Sequence, residues 1–173
     1  MLKKMLLLLI LGLIFSTQAY SQSIAIGPQV GYYKAKDADE GSLMFGGMAR
    51  LYLGGAFAVE GAINYRKEEY MDGAYSITSY PVQASALIYV LPIAYGIAGI
   101  GWYNAKYEAG SFSETFSDVG YHIGGGAEIP LGSLILTGDI RYVFLKYQFD
   151  TGYGSMDVEA NFFVITAGLL FSL

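Results

Sequence analysis

The chain contains no cysteine, only one histidine and one tryptophan, and few charges: Asp, Glu, Lys and Arg make up 14% of its 173 residues. Without cysteine, the sequence excludes a disulfide framework, a thiolate metal site and a cysteine nucleophile. One histidine and scattered carboxylates show no spacing typical of metal ligands, so we expect no metal site and no cofactor. Soluble domains carry roughly 25% charged residues, so the low value here argues against a protein surrounded only by water.

The first residues are typical of a secretory signal peptide. A short basic stretch precedes an apolar run over residues 5–15, which is too short to cross a bilayer as a helix. Small and polar residues follow, and Ala19 and Ser21 occupy the −3 and −1 positions of a cleavage site. We predict that residues 1–21 are removed and that residues 22–173 form a single exported domain.

Apolar runs that could form a membrane helix are also missing, although 54% of the residues are hydrophobic. The longest uncharged stretch, residues 73–105, contains Pro92 and several glycines, which would break such a helix. The chain instead holds 23 glycines and 16 tyrosines, and aromatic residues reach 16%. A chain that is apolar but too interrupted for membrane helices has the composition of a transmembrane β-barrel.

Apolar and polar residues alternate with period two along most of the sequence. Phe57, Val59 and Ile63, for example, share one face of a strand whose other face carries Glu60. A strand with one apolar and one polar face needs surroundings of different polarity on its two sides. The pattern predicts an all-β, antiparallel up-and-down barrel of about eight strands, and the glycine-rich fifth strand leaves its facing open. The predicted strands cover residues 23–34, 43–54, 57–66, 75–91, 94–105, 118–129, 134–147 and 159–173.

The predicted connections alternate between short and long. Short, uncharged turns lie at residues 54–56, 91–93 and 130–133, and longer polar links lie at residues 35–42, 67–74, 106–117 and 148–156. Outer-membrane barrels have short periplasmic turns and longer extracellular loops. With an even number of strands, this arrangement places both termini in the periplasm.

The charges follow the same plan. Most of them lie in or beside the four long links, and only five fall in the middle of a strand, all on the face opposite the apolar stripe. A charge facing lipid at mid-depth costs roughly 2–4 kcal/mol, so these five should point into the lumen. An eight-stranded barrel is just wide enough for its own side chains, and we expect the five to form a buried salt-bridge network. They are Arg50, Glu60, Glu128, Asp139 and Arg141, with Asn64, Gln83, His122 and Thr137 as polar neighbours.

The aromatic residues concentrate near the ends of the strands. Girdles at the level of the lipid headgroups are the expected explanation. The residues predicted for the two girdles are Tyr32, Tyr65, Tyr103, Tyr121 and Tyr142 towards the long links, and Phe57, Tyr95 and Phe171 towards the short turns.

Together, these features make the chain resemble the small outer-membrane barrel superfamily, which includes the OmpA transmembrane domain, OmpX and the opacity-type adhesins. The resemblance rests on "YGIAGIGWYNAKY" at residues 95–107, "VGYHIGGGAEIPL" at residues 119–131 and the last strand, "FVITAGLLFSL". It covers residues 23–173 and implies a closed barrel in the cell outer membrane. The family usually ends in Phe, whereas this chain ends in Leu173, with Phe171 two places before it.

The expected function is non-enzymatic: a structural role in the envelope, or surface interaction with a cell-surface or host ligand through the loops. We expect a monomer surrounded by outer-membrane lipid. The negative loops argue against nucleic acid as a partner.

Three alternatives are a narrow porin-like channel or carrier for small or apolar solutes, a lipid-modifying enzyme and a soluble lipocalin-like barrel. The enzyme is disfavoured because similar outer-membrane deacylases have a Ser two residues after their His. In this chain the residue two places after His122 is Gly124. The soluble barrel would place apolar residues inside and charges outside.

Overall fold

The computed structural model describes residues 23–35, 41–54, 56–70, 75–109, 112–151 and 154–173. The predicted signal peptide lies outside the described residues. In the described part of the chain, no helix is long and apolar enough to cross a membrane. The strands are β1 (Ser23–Ala35), β2 (Ser42–Gly54), β3 (Phe57–Tyr70), β4 (Tyr75–Leu91), β5 (Ala94–Ala109), β6 (Phe112–Leu131), β7 (Leu134–Phe144), β8 (Lys146–Thr151), β9 (Gly154–Glu159) and β10 (Phe162–Ser172).

Eight of these strands form a closed barrel in the order β1-β10-β7-β6-β5-β4-β3-β2, and β1 pairs with β2 to complete it. Every neighbouring pair is antiparallel, including that of β1 and β10, the first and last strands in the chain. Closure leaves no unpaired strand edge around the barrel wall, which is the condition for a sheet to exist in hydrocarbon. The predicted eight-stranded antiparallel barrel is therefore confirmed.

Side chains alternate between the outer surface and the lumen as the period of two predicts. On β7 the outward Leu136 and Ile140 are 46% and 50% exposed, whereas the inward Asp139 and Arg141 are buried. The strand β10 follows the same rule. This arrangement, with apolar side chains outside and charged side chains inside, is the inverse of a soluble lipocalin-like barrel.

Two of the tight turns depend on glycine. Gly54 ends β2 with a φ of 87°, and Gly132 has a φ of 72° in the two-residue turn between β6 and β7. Both values lie in the left-handed region, which glycine enters at little cost and which suits short hairpin turns. The short turns therefore lie together at one end, here called the turn side, and the long links lie at the opposite end, the loop side.

Two of the predicted long links contain strand at positions predicted as loop. In the 67–74 link, β3 continues to Tyr70 and β4 begins at Tyr75. In the 106–117 link, β5 continues to Ala109 and β6 begins at Phe112. The charges in these segments predict aqueous surroundings, and a hydrogen-bonded ladder in water needs no apolar face.

The last long link also differs from its prediction as a loop. Its residues form a separate hairpin of β8 and β9, so the seventh strand ends at Phe144 and the last barrel strand begins at Phe162. Leu145 interrupts the barrel ladder, since its N–H donates to the side-chain oxygen of Asn161 at 3.1 Å. Its carbonyl accepts from the N–H of Ala160 at 2.9 Å.

The facing of β5 corrects two girdle predictions. Tyr95 and Tyr103 point into the lumen and are 3% and 6% exposed, while Trp102 between them points outward. Each tyrosine hydroxyl has an inner partner: Tyr95 lies 2.9 Å from Thr137 Oγ1, and Tyr103 accepts from Gln83 at 2.9 Å. Tyrosine suits a polar lumen as well as a membrane interface, so the residue type alone did not decide its side.

Candidate functional site in the barrel lumen

A chain of ion pairs crosses the middle of the lumen. Arg50 on β2 contacts Glu60 on β3 and Glu128 on β6, each at 2.6 Å. Arg141 on β7 contacts the other oxygen of Glu60 at 2.7 Å and Asp139 at 2.6 Å. Glu60 thus bridges two guanidinium groups, and the five side chains are no more than 2% exposed.

The geometry compensates for the burial of these charges. Arg50 donates through Nε and Nη2 to the same oxygen of Glu60, at 3.0 and 2.6 Å. Arg141 donates to both oxygens of Asp139, at 2.6 and 2.9 Å, in a bidentate arrangement. Buried ions are tolerated only when such close contacts and additional hydrogen bonds replace the lost hydration.

Three carboxylates face only two guanidinium groups, and tyrosines add donors to one oxygen of Glu128, whereas its Oε1 has no hydrogen-bond partner among the described residues. Tyr89 donates to Glu128 Oε2 at 2.8 Å, and Tyr52 donates to the same oxygen at 3.1 Å. The guanidinium of Arg50 also lies over the ring of Tyr95, 4.9 Å from its centroid. The tyrosine hydroxyls stabilise the negative charge of Glu128. The ring of Tyr95 adds a third contact to Arg50, beside those with Glu60 and Glu128.

The four predicted polar neighbours occupy different places. Thr137 belongs to the central network, since its Oγ1 accepts from Arg50 Nη2 at 3.4 Å. His122 lies beside it, bonded to Ser85. Asn64 and Gln83 lie nearer the loop side, where Asn64 accepts from Gln29 at 2.7 Å and Gln83 donates to Tyr103.

Sequence reasoning missed several lumen residues that the structure places in these contacts. The alternation of β1, β2 and β4 already put most of them on inner faces, and only Tyr95 required the facing of β5. They are Gln29, Tyr52, Ser85, Tyr89 and Tyr95.

Ser85 and His122 form a pair that superficially resembles a hydrolytic dyad, with Oγ and Nε2 2.9 Å apart. Nucleophilic catalysis also needs a group that orients the histidine, and access for the substrate. Among the described residues, Nδ1 of His122 has no hydrogen-bond partner, and the side chain is buried. The pair fits a packing contact in the lumen better than a site of lipid hydrolysis. No group of three or more potential metal ligands occurs in the described ranges either.

Two apolar clusters enclose the charged layer. The turn-side cluster includes Leu87, Ile135 and Leu170, and the loop-side cluster includes Val143 and Phe162. Glycines make room for the larger rings: a Cβ on Gly101 or Gly120 would stand 2.9 Å from the ring of Tyr103. Described side chains therefore pack on both sides of the ion pairs.

Comparison with known proteins identifies the family. The model of the family "Outer membrane protein beta-barrel domain" matches residues 5–171. The chain belongs to this family. The barrel fold and outer-membrane location follow from this membership. Among curated protein sequences, none matches the chain.

Solved outer-membrane barrels share the fold at low sequence identity. Neisserial surface protein A aligns with a TM-score of 0.69 and 14% identity, covering 88% of this chain and 99% of its own. A major outer membrane protein from Thermus thermophilus aligns with a TM-score of 0.61 and 11% identity, covering 89% of this chain and 100% of its own. Ail, the attachment invasion locus protein of Yersinia pestis, aligns with a TM-score of 0.57 and 17% identity, covering 88% of this chain and 97% of its own. At these identities the likeness shows the architecture alone.

In this outer-membrane barrel, the exposed apolar side chains form the belt that contacts lipid. Six of the predicted girdle residues lie on this outer face, and rings cluster near the loop side. Tyr142 packs against Phe144 and Phe163, with ring centroids 4.8 and 4.7 Å away, and Tyr65 lies 5.4 Å from Tyr80. The six are Tyr32, Phe57, Tyr65, Tyr121, Tyr142 and Phe171.

Proposed function

We propose that this outer-membrane barrel is a surface-interaction protein that binds a partner through a sheet projecting from its loop side. The observation that carries the proposal is the continuation of three ladders beyond the barrel. The β2–β3 ladder ends at Phe45↔Tyr65, whereas the β3–β4 ladder continues to Tyr70↔Tyr75. The ladders between β4, β5 and β6 continue in the same way.

The projecting part, here called the loop-side sheet, comprises residues 66–70, 75–79, 104–109 and 112–120. The β6–β7 ladder begins only at Tyr121↔Phe144, so the sheet has an edge at β6 as well as at β3. The hairpin of β8 and β9 approaches β6 but makes no ladder with it in the described part of the chain. At about 3.3 Å per residue, the β6 portion alone is roughly 30 Å long.

An unpaired edge presents N–H and C=O groups that can pair with a strand of another protein, and this mode of binding is common in peptide recognition. Within the described residues, neither edge of the loop-side sheet pairs with another strand. The buried ion pairs across the middle of the lumen support the same proposal, because a barrel blocked there by side chains can bind partners only from its ends. In this proposal both termini lie in the periplasm, and the loop-side sheet lies on the outer surface of the cell.

Charge indicates the kind of partner. The residues in or beside the four long links include six Lys and Arg and twelve Asp and Glu, a net charge of −6. Such a surface attracts basic protein surfaces and repels polyanions, more strongly at low ionic strength. Ail was solved in complex with the heparin analogue sucrose octasulfate. The acidic loop side of the present chain favours a basic protein partner instead.

Shortening the β5–β6 hairpin tests the proposal. Residues 107–114 are replaced by Asn-Gly, a two-residue turn that suits the register partners Lys106 and Thr115. The barrel in lipid nanodiscs is passed over immobilised lysozyme and cytochrome c as basic probes, and over heparin. We expect the full-length protein to bind the basic probes, and the shortened protein to bind them about tenfold more weakly because edge and charge are lost together.

The matched control replaces the turn-side residues Gly132 and Ser133 by the same Asn-Gly turn, which should leave binding unchanged. Equal binding by the shortened and full-length proteins would contradict the proposal. Stronger binding to heparin than to the basic probes would contradict the partner chemistry.

A further inference from the structure

A cavity of about 60 Å³ lies in the loop-side half of the lumen, beyond the ion pairs. One water-sized group needs roughly 10–15 Å³ of such a cavity, so about four to six of these groups fit. Its walls combine apolar and aromatic side chains with a few polar ones. The residues that define its chemistry are Met44, Tyr103 and Phe162 on the apolar side, and Asn64, Arg66 and Gln83 on the polar side.

Two donor atoms at this cavity have no hydrogen-bond acceptor among the described residues. Asn64 is 3% exposed, and its Oδ1 accepts from Gln29, but its Nδ2 is buried without an acceptor. Arg66, two residues further along β3 and therefore on the same inner face, has a buried Nε without an acceptor. Buried donors are nearly always satisfied in proteins, so two of them beside one cavity point to a ligand that accepts hydrogen bonds.

The guanidinium of Arg66 is held in place for such a ligand. Its Cζ lies 3.6 Å from the centroid of the Tyr33 ring, which fixes the plane of the group. Its Nη2 donates to Ser79 at 3.3 Å. Glu68 forms an ion pair with Nε at 3.9 Å, a distance too long for a hydrogen bond. On this edge of the guanidinium, Nε is therefore ion-paired but still has no hydrogen-bond acceptor among the described residues.

We propose that this cavity binds the carboxylate of a small organic acid, with Arg66 and Asn64 as donors and the apolar wall contacting a short aliphatic tail. A carboxylate matches the fork of a guanidinium and accepts several hydrogen bonds at once. Among the described residues that line the cavity, none carries a carboxylate of its own. Butyrate, with six non-hydrogen atoms, fits the available space.

The test follows the side-chain amide resonance of Asn64 by NMR in detergent micelles while sodium butyrate is added to the full barrel. Arg66→Gln should weaken binding about tenfold or more, because a charge-assisted hydrogen bond is lost. Lys67→Gln is the matched control: it removes the same charge from the neighbouring, outward-facing residue and should change the affinity less than about twofold.

Arg66→Lys keeps the charge but loses the fork, and should bind measurably more weakly than the unmodified protein. This conservative variant tests the site even if Arg66→Gln does not fold. Folding is checked by comparing the gel mobility of boiled and unboiled protein, since a folded barrel migrates differently before boiling. Butyramide should bind more weakly than butyrate. Equal affinity for both, no shift of Asn64 with butyrate, or unchanged affinity in Arg66→Lys would overturn the proposal. None of these results depends on the hairpin of residues 107–114, so either proposal can fail without the other.

Discussion

Replacing Arg50 with methionine is expected to lower the free energy of unfolding by about 3–5 kcal/mol, the usual cost of leaving a buried charge without its partner. Glu128 loses its guanidinium contact at 2.6 Å, whereas Glu60 keeps its contact with Arg141. The measurement is urea unfolding of the refolded barrel in lipid vesicles, followed by the fluorescence of Trp102. This tryptophan is the only one in the chain and is 43% exposed on the outer face, away from the substituted side chain.

The double variant Arg50→Met with Glu128→Gln separates charge from packing. It removes one charge of each sign, so the lumen keeps its net charge of −1 from Glu60, Asp139 and Arg141. Because no carboxylate is then left without a cation, we expect the double variant to recover at least half of the lost stability. A loss below about 1 kcal/mol in the single variant, or no recovery in the double variant, would show that the ion pairs do not organise the lumen.

A charge on the outer face of β7 should be nearly as damaging. Ile140 is half exposed near the middle of its strand, between Gly125 of β6 and Ile165 of β10. Ile140→Arg places a guanidinium at mid-depth in the hydrocarbon and should cost about 2–4 kcal/mol. The same unfolding assay in lipid vesicles measures the effect.

Depth provides the control for this second prediction. Leu131 is also exposed on the outside but lies next to the short turn, at the edge of the apolar belt. Leu131→Arg should therefore cost only about 0–1 kcal/mol. Equal costs at the two positions would mean that the belt does not span the membrane as described.

The sequence predicted the facing of most strands because lipid and a polar lumen demand opposite side chains on the two faces. Phe57 and Glu60 on β3 illustrate this, and they lie on opposite faces in the structure. In β5 the same reasoning had nothing to distinguish the faces, since glycines alternate with residues such as Tyr95 and Trp102 that suit either environment. Whether those residues face the lumen or the lipid depends on how β5 pairs with β4 and β6. The sequence of β5 alone does not determine that pairing.

The site was predictable as a set of residues but not as a set of bonds. Inner-face parity placed Arg50 and Glu128 in the lumen, but they lie 78 positions apart in the sequence and meet only across the closed barrel. Which acid each arginine contacts therefore depends on the stagger of the strands. The loop-side sheet was missed for a related reason: Lys67 and Lys106 indicate water, and water is compatible with a loop or with a paired strand.

The most direct test of the account is the sidedness of the barrel in intact cells. Because the chain has no cysteine, single substitutions Ser113→Cys in the loop-side sheet and Ser133→Cys in the short turn can be labelled without other changes. A polymer-linked maleimide too large to cross the outer membrane should label the cysteine at position 113 on intact cells, and the one at 133 only after permeabilisation. Labelling at 133 but not at 113 on intact cells would contradict a surface-exposed binding sheet.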